Sequence, residues 1–466
     1  MKFKNLARDL GLVILSNLLT LVISTIVILV VPKVIGVKEY GYWQLFMFYA
    51  SYLGFFHLGW IDGIYLRYGG TDYQSLDKSL FFSQFVMLMM MEACFAAIIV
   101  FVTFCFQNAD YVFIQISLAI YLLIFISQSY LKIILQLTNR IREFSQVTIL
   151  SNTVYVIILA IQILTGFKNF RFLITAFIFG NFVAMIYGVV LLKDLFYVGV
   201  KKITWSWKEA CLNVRVGLQL LLANAASLLI IGVVRIGIQH GWGVTTFGKV
   251  SLTLSISNLL MVFISAISLI LFPKLRKIDN KKIKDLYSAI RDILMPFVFI
   301  GILVYFPLNY LIPLWLPKYQ TTLIYMSLLF PMIVYQAKFD ILSNTFLKVF
   351  RMEKQLLFIN IFTLIISLFM TLLSVFWLHN LTFTISNIII VMSIRSTLSE
   401  IYVKSRLKIK FSVEIFIETL MVIIFIALAW NFSNWMAMGA YMVVLLVYLF
   451  IKKNDILKAF STMRKL

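Results

Sequence analysis

Residues Gly36–Gly70 read GVKEYGYWQLFMFYASYLGFFHLGWIDGIYLRYGG, and the fold turns on what this stretch can form. It opens in a short polar turn, runs through mostly apolar residues and closes in a charged, glycine-rich segment. About twenty such residues in a helix cross the hydrocarbon of a bilayer. On an uninterrupted helix, Gln44, Ser51 and Asp62 fall on one line, and Gly41, Gly59 and Gly63 on a neighbouring one. A membrane helix with a polar line beside a glycine seam is expected to pack tightly on protein and to border a wet space.

The rest of the chain has the same character. Of 466 residues, 62% are hydrophobic and 13% charged, against roughly 45–50% apolar and 25% charged in soluble domains. Long apolar runs alternate with short charged loops, which implies a polytopic all-α membrane protein. The runs place about fourteen spans near 11–31, 42–62, 80–106, 111–136, 147–165, 171–192, 213–235, 247–271, 291–315, 321–347, 356–378, 382–404, 412–430 and 434–451. Lys and Arg concentrate in alternate loops, leaving little beyond Lys33, Lys38, Lys168, Arg171 and Lys318 in the others. Both termini are therefore expected in the cytoplasm, with the first span retained and not cleaved as a signal. The net charge of +22 reads as orientation signal and attraction for anionic headgroups, not as a nucleic-acid footprint. The spacings of the cysteines and histidines suit neither a disulfide framework nor a metal site. No phosphate-binding glycine loop or other enzyme signature is present. A non-enzymatic protein without cofactor is expected.

Residues 8–67 lie on residues 215–274 without a gap at an offset of 207. Arg8 meets Arg215, Asn17 meets Asn224, Thr20 meets Ser227, Gly36 meets Gly243, Gly41 meets Gly248, Ser51 meets Asn258 and Arg67 meets Lys274. Spans 1 and 2 are thus repeated by spans 7 and 8 in the same orientation, the parallel-repeat architecture of many transporters. Two six-helix lobes follow: 1–192, then a cytoplasmic linker 193–212, then 213–404, with 405–466 adding two spans and a basic tail. Trp205 and Trp207 of the linker are expected at the membrane interface.

Polar residues at helical spacing mark the faces of interest. Asn17, Gln44, Ser51, Asn224, Ser251 and Asn258, on spans 1, 2, 7 and 8, are expected to line a cavity. In spans 5 and 11, Asn152 and Asn360 lie in stripes that fit ordinary helix packing. Intramembrane charges are rarer. Asp62, Glu92 and Asp340 are the candidates for ion coupling, and Arg395 is expected to pair with Asp340. Arg235, near the end of span 7, fits either snorkelling or the outer mouth of a central route.

The Gly-x-x-x-Tyr-Gly turn at Gly36 to Gly41, the Leu-Gly-x-x-x-Gly-x-x-x-x-Arg segment at Leu58 to Arg67 and the Phe-Pro-x-Leu segment at Phe272 to Leu275 resemble one family. It is the polysaccharide-unit flippases of the multidrug/oligosaccharidyl-lipid/polysaccharide (MOP) exporter superfamily. The resemblance implies two lobes working by alternating access, a lumen lined by spans 1, 2, 7 and 8, and an undecaprenyl-diphosphate-linked oligosaccharide as cargo in a bacterial cytoplasmic membrane. Partners implied are that lipid-linked oligosaccharide, membrane lipids, and a polysaccharide polymerase with glycosyltransferases. A diphosphate needs cations at its entrance, so Arg8, Arg67, Arg215, Lys274 and Arg235 become its candidate contacts. The same residues also fit ordinary positive-inside placement. Spans 13 and 14 resemble the extra pair of the peptidoglycan-precursor flippase, but the first span here lacks the intramembrane arginines of that relative. A drug/cation antiporter of the same fold and a membrane polysaccharide polymerase are the competing readings.

Overall fold

The computed structural model describes residues 20–105, 108–201, 203–275, 280–409 and 413–464, side chains excepted at 199–201, 260, 262–275, 280–282, 322 and 464. The described residues contain no strand, and ten of their helices are long and apolar enough to cross a membrane. The chain is an all-α, multi-pass membrane protein. It divides into two compact units, Met1–Ala225 and Ala226–Leu466.

In the first unit, α1 (Thr20–Val34) leads into α2 (Val37–Ala50) and α3 (Trp60–Tyr68). Four long helices follow: α4 (Lys78–Thr103), α5 (Ala109–Leu137), α6 (Ile141–Leu164) and α7 (Phe170–Leu191). Their starts are set locally. Asp77, Asn108 and Asn169 each accept a backbone N–H of the first turn of α4, α5 and α7, satisfying donors that the helix cannot. The core between them is aromatic, with Trp43, Phe46, Tyr121, Tyr155 and Phe177 in ring contact. The short α8 (Lys193–Lys201) precedes α9 (Trp207–Leu275), which carries spans 7 and 8 and holds the unit boundary.

The second unit continues with α10 (Asn280–Ile302) and α11 (Tyr305–Trp315), which together make span 9. Pro307 divides them: it lacks an N–H and its ring clashes with the carbonyl four residues back, at Leu303. The short helix α12 (Gln320–Leu323) follows. Span 10 is built in pieces: α13 (Met326–Leu329), α14 (Met332–Ala337), a π-helical turn over Lys338–Asn344, and α15 (Thr345–Val349). Then come α16 (Glu353–Leu372), α17 (Leu381–Arg406), α18 (Glu414–Asn431) and α19 (Asn434–Arg464). Phe425 of α18 and Tyr441 of α19 join Tyr305 and Phe306 in one aromatic cluster, so the last two spans share this unit's core.

The second span departs from the continuous helix that its length suggested. After Ala50 the chain passes through Ser51, a single tight turn at Leu53–Phe55 and a reversal at Leu58 (φ 49°) and Gly59 (φ 82°) before α3 begins. Glycine enters the left-handed region without a Cβ penalty. The His57 Nδ1 accepts the Gly59 N–H at 3.0 Å, replacing one of the helix hydrogen bonds lost there. The break resets the helical phase. Gln44 and Asp62 therefore do not share the line that an unbroken helix would give them.

Of the positions that the repeat pairs, Gly36 (φ −68°, ψ 157°) divides α1 from α2, and Gly243 (φ 77°, ψ 177°) interrupts α9. The side-chain bonds at Thr20 and at its counterpart Ser227 differ. In the first unit, Asn152 donates to the Thr20 hydroxyl at 2.9 Å. In the second, Arg395 donates to the Ser227 hydroxyl at 2.6 Å and to the Asn360 carbonyl oxygen at 3.0 Å. The copies differ after that point, since α9 runs unbroken to Leu275 where the first copy unwinds.

Candidate functional site

At the end of the broken span, the glycine seam finds its partner. Residues Gly59, Gly63 and Arg67 recur every four positions on α3, and Gly217, Asn213 and Glu209 recur every four positions along the start of α9. The two rows run antiparallel. A Cβ on Gly59 would lie 2.7 Å from the Gly217 carbonyl carbon, and one on Gly63 would collide with the Asn213 backbone oxygen. Backbone meets backbone there, as small residues allow between membrane helices.

Beyond the glycines the contact becomes polar. The Arg67 guanidinium donates from one nitrogen to Glu209 Oε2 at 2.7 Å and to Asn213 Oδ1 at 2.5 Å. The Tyr68 hydroxyl lies 3.3 Å from the same Glu209 oxygen. Gln84 of α4 extends the array, accepting from the Trp60 indole at 2.8 Å and donating to the Ser206 carbonyl at 3.2 Å. The hydrogen bond from Arg67 holds the Glu209 carboxyl below the usual carboxylate range. Arg67 keeps 22% and Glu209 30% of side-chain exposure, so the pair is not sealed in the interior. Glu209 and Asn213 were not among the residues picked from sequence. The signal for them was the Glu-x-x-x-Asn-x-x-x-Gly spacing from Glu209 to Gly217, which matches the Gly-x-x-x-Gly-x-x-x-Arg row of the second span.

The other sequence candidates fall in varied settings. Arg8 and Asn17 lie outside the described residues, and so does the Lys274 side chain. Arg215, Asn224 and Asn258 are exposed. Gln44 donates to the Tyr40 hydroxyl at 2.7 Å and Ser51 to the Phe48 carbonyl at 2.6 Å, both within their own helical turn. Arg235 and Ser251 are brought together: the guanidinium donates to the hydroxyl at 2.9 Å and lies over the Phe247 ring. Asp62 sits in the first turn of α3, where a negative charge suits the helix N-terminus. Glu92 is fully buried on α4, and neither carboxyl oxygen has a hydrogen-bond partner among the described residues. Asp340 accepts from Gln336 at 3.0 Å inside the π-helical turn. Arg395 interacts electrostatically with Asp340, makes the Asn360 and Ser227 bonds and stacks on Phe339 at 3.6 Å from the ring centre.

One buried charged network escaped the sequence reading. Arg291 of α10 contacts Glu400, Glu414 and Glu418, and Lys338 contacts Glu400 and, at 2.7 Å, Glu418. Lys404 adds Glu400 at 2.8 Å, and Lys452 adds Glu414 at 2.6 Å and Asp455 at 3.0 Å. Cations and carboxylates balance four to four in these contacts, which is what makes burial tolerable. The network ties α18 and α19 to spans 9, 10 and 12. No cluster of His, Cys, Asp and Glu suited to a metal ion occurs among the described residues.

No protein-family model matches the sequence, and no curated protein matches it. Solved structures do match in fold. The lipid II flippase MurJ in an inward-closed conformation aligns over 97% of this chain and 100% of its own, with a TM-score of 0.65 and 12% identity. An inward-facing multidrug resistance MATE family transporter of the MOP superfamily aligns over 84% of this chain and 98% of its own, with a TM-score of 0.63 and 12% identity. The chain has the fold of the MOP-superfamily membrane transporters.

Proposed function

We propose that this protein is a flippase that carries a polyprenyl-diphosphate-linked oligosaccharide from the inner to the outer leaflet of a bacterial cytoplasmic membrane by alternating access, with both termini in the cytoplasm. The observation that carries this reading is the extent of the fold shared with a flippase of a lipid-linked substrate. A 97% share of this chain is too large to leave out α18 and α19, whereas the MATE transporter aligns with 84%. Arg67 supplies a partly exposed guanidinium already holding an anion, and Arg215 is exposed on the helix that faces it. Neutral hydrogen-bonding groups at Asn224 and Asn258, both exposed, suit a sugar better than a cationic drug.

The test is translocation of lipid-linked oligosaccharide by the purified protein in proteoliposomes. Arg67→Ala and Arg215→Ala each reduce the rate by about tenfold, the value of one charge-assisted contact to phosphate. Unchanged rates in both variants, at matched expression, overturn the reading. Transport of cationic drugs but not of lipid-linked glycans favours the antiporter.

A further inference from the structure

Glu209 occupies the position that a substrate phosphate needs. Its Oε2 receives the Arg67 guanidinium at 2.7 Å, with the Tyr68 hydroxyl 3.3 Å away. A guanidinium beside a phenol is a donor set that serves a phosphate oxygen as well as a carboxylate. Glu209 and Asn213 take both hydrogens of one Arg67 guanidinium nitrogen, so an anion that binds that nitrogen has to replace the charged one, Glu209. Both partners remain partly exposed, so replacement starts without unfolding anything.

We propose that Glu209 is a built-in stand-in for the diphosphate headgroup, displaced from Arg67 when a diphosphate binds. This rests on the flippase reading for its biological ligand, but the exchange itself depends only on the shared chemistry of a diphosphate, lipid-linked or free. The consequence reaches beyond binding. Arg67 and Glu209 close the polar end of the row whose other end is the Gly59–Gly217 crossing, so an anion that takes Arg67 removes the ionic tie between α3 and α9. Headgroup arrival and release of the seam become one event.

The experiment measures diphosphate binding to the full-length protein in nanodiscs, in one arm with soluble pyrophosphate and in another with undecaprenyl diphosphate in the disc. Glu209→Gln, which keeps the shape and removes the competing charge, is expected to bind about tenfold tighter than the wild type. Adding Arg67→Ala is expected to abolish the gain. Tightening in both arms, or with the lipid alone, supports displacement and assigns the source of the headgroup. Tightening with pyrophosphate alone supports it for free diphosphate. No tightening in either arm, or a gain that survives Arg67→Ala, overturns the proposal. If Glu209→Gln does not fold, Glu209→Asp, which draws the carboxylate back from Arg67, is held to the same criterion. Wild-type translocation, measured in parallel, separates the two ideas. Translocation without tightening refutes displacement alone, and tightening without translocation refutes the flippase reading alone.

Discussion

Gly63→Ala tests the α3–α9 crossing directly. The added methyl would fall on the Asn213 carbonyl oxygen, and backbone cannot swing aside as a side-chain tip can. The two helices have to part by roughly 1 Å or more to restore ordinary contact, at an overpacking cost of about 1–3 kcal/mol. Separation also stretches the Arg67 bonds to Glu209 and Asn213, now 2.7 and 2.5 Å. Charge-assisted bonds contribute more when buried, but these are partly exposed, so about 1 kcal/mol is a fair share. The sum, about 2–4 kcal/mol, moves the balance between closed and parted helices by about thirtyfold to several-hundredfold. Spin labels at Leu66 and Leu212, both exposed, report the separation by pulsed electron resonance once the native cysteines are replaced. The distribution in Gly63→Ala is expected to shift to longer distance. Gly439→Ala serves as the control, since a Cβ there meets nothing within 4 Å. A Gly63→Ala distribution that superimposes on the wild type refutes the claim that backbone contact holds the crossing.

Two further outcomes follow from the charged groups. Glu418→Leu leaves Arg291 and Lys338 short of a carboxylate in a buried site, which costs about 3–5 kcal/mol; thermal unfolding in detergent should fall sharply, and adding Lys338→Met should recover much of the loss. Because Arg67 lowers the folded-state pKa of Glu209, which precedes the apolar part of span 7, its contribution is complete above the unfolded-state value and is lost as pH falls through the folded-state value. The same spin-label pair should therefore report a parted crossing in acid, and Glu209→Gln should remove that pH dependence.

Composition made the all-α membrane class legible, because a bilayer permits few backbone solutions. The repeat pairs Gly36 with Gly243, and a helix is interrupted at each. The interruption of span 2 was not legible. Gly54 and Gly59 sit among apolar residues that suit a continuous helix equally well, and what decides is His57 returning to the Gly59 amide. Interaction partners were harder still. Lys338 falls within the span placed at 321–347, but its carboxylates, Glu400 and Glu418, lie 62 and 80 positions away on other helices. Arg67 was singled out for phosphate, yet nothing in its own neighbourhood announced that Glu209, across the fold, would hold it.

The differences between the two copies say more about function than their likeness does. At the offset of 207, Gly59, Asp62 and Gly63 become Ala266, Leu269 and Ile270, while Arg67 becomes Lys274. The second copy keeps the terminal cation but replaces both glycines of the crossing, one by isoleucine, and its helix continues to Leu275. A β-branched isoleucine in place of Gly63 could not approach another backbone as α3 approaches α9. The same divergence recurs deeper in the membrane. Asn152 reaches Thr20 directly, whereas Arg395 is wedged between Ser227 and Asn360. The first copy thus carries a glycine crossing and the second a buried guanidinium. If a diphosphate is to trigger movement, the first copy is the one built to respond, because it joins its cation to a seam that can part.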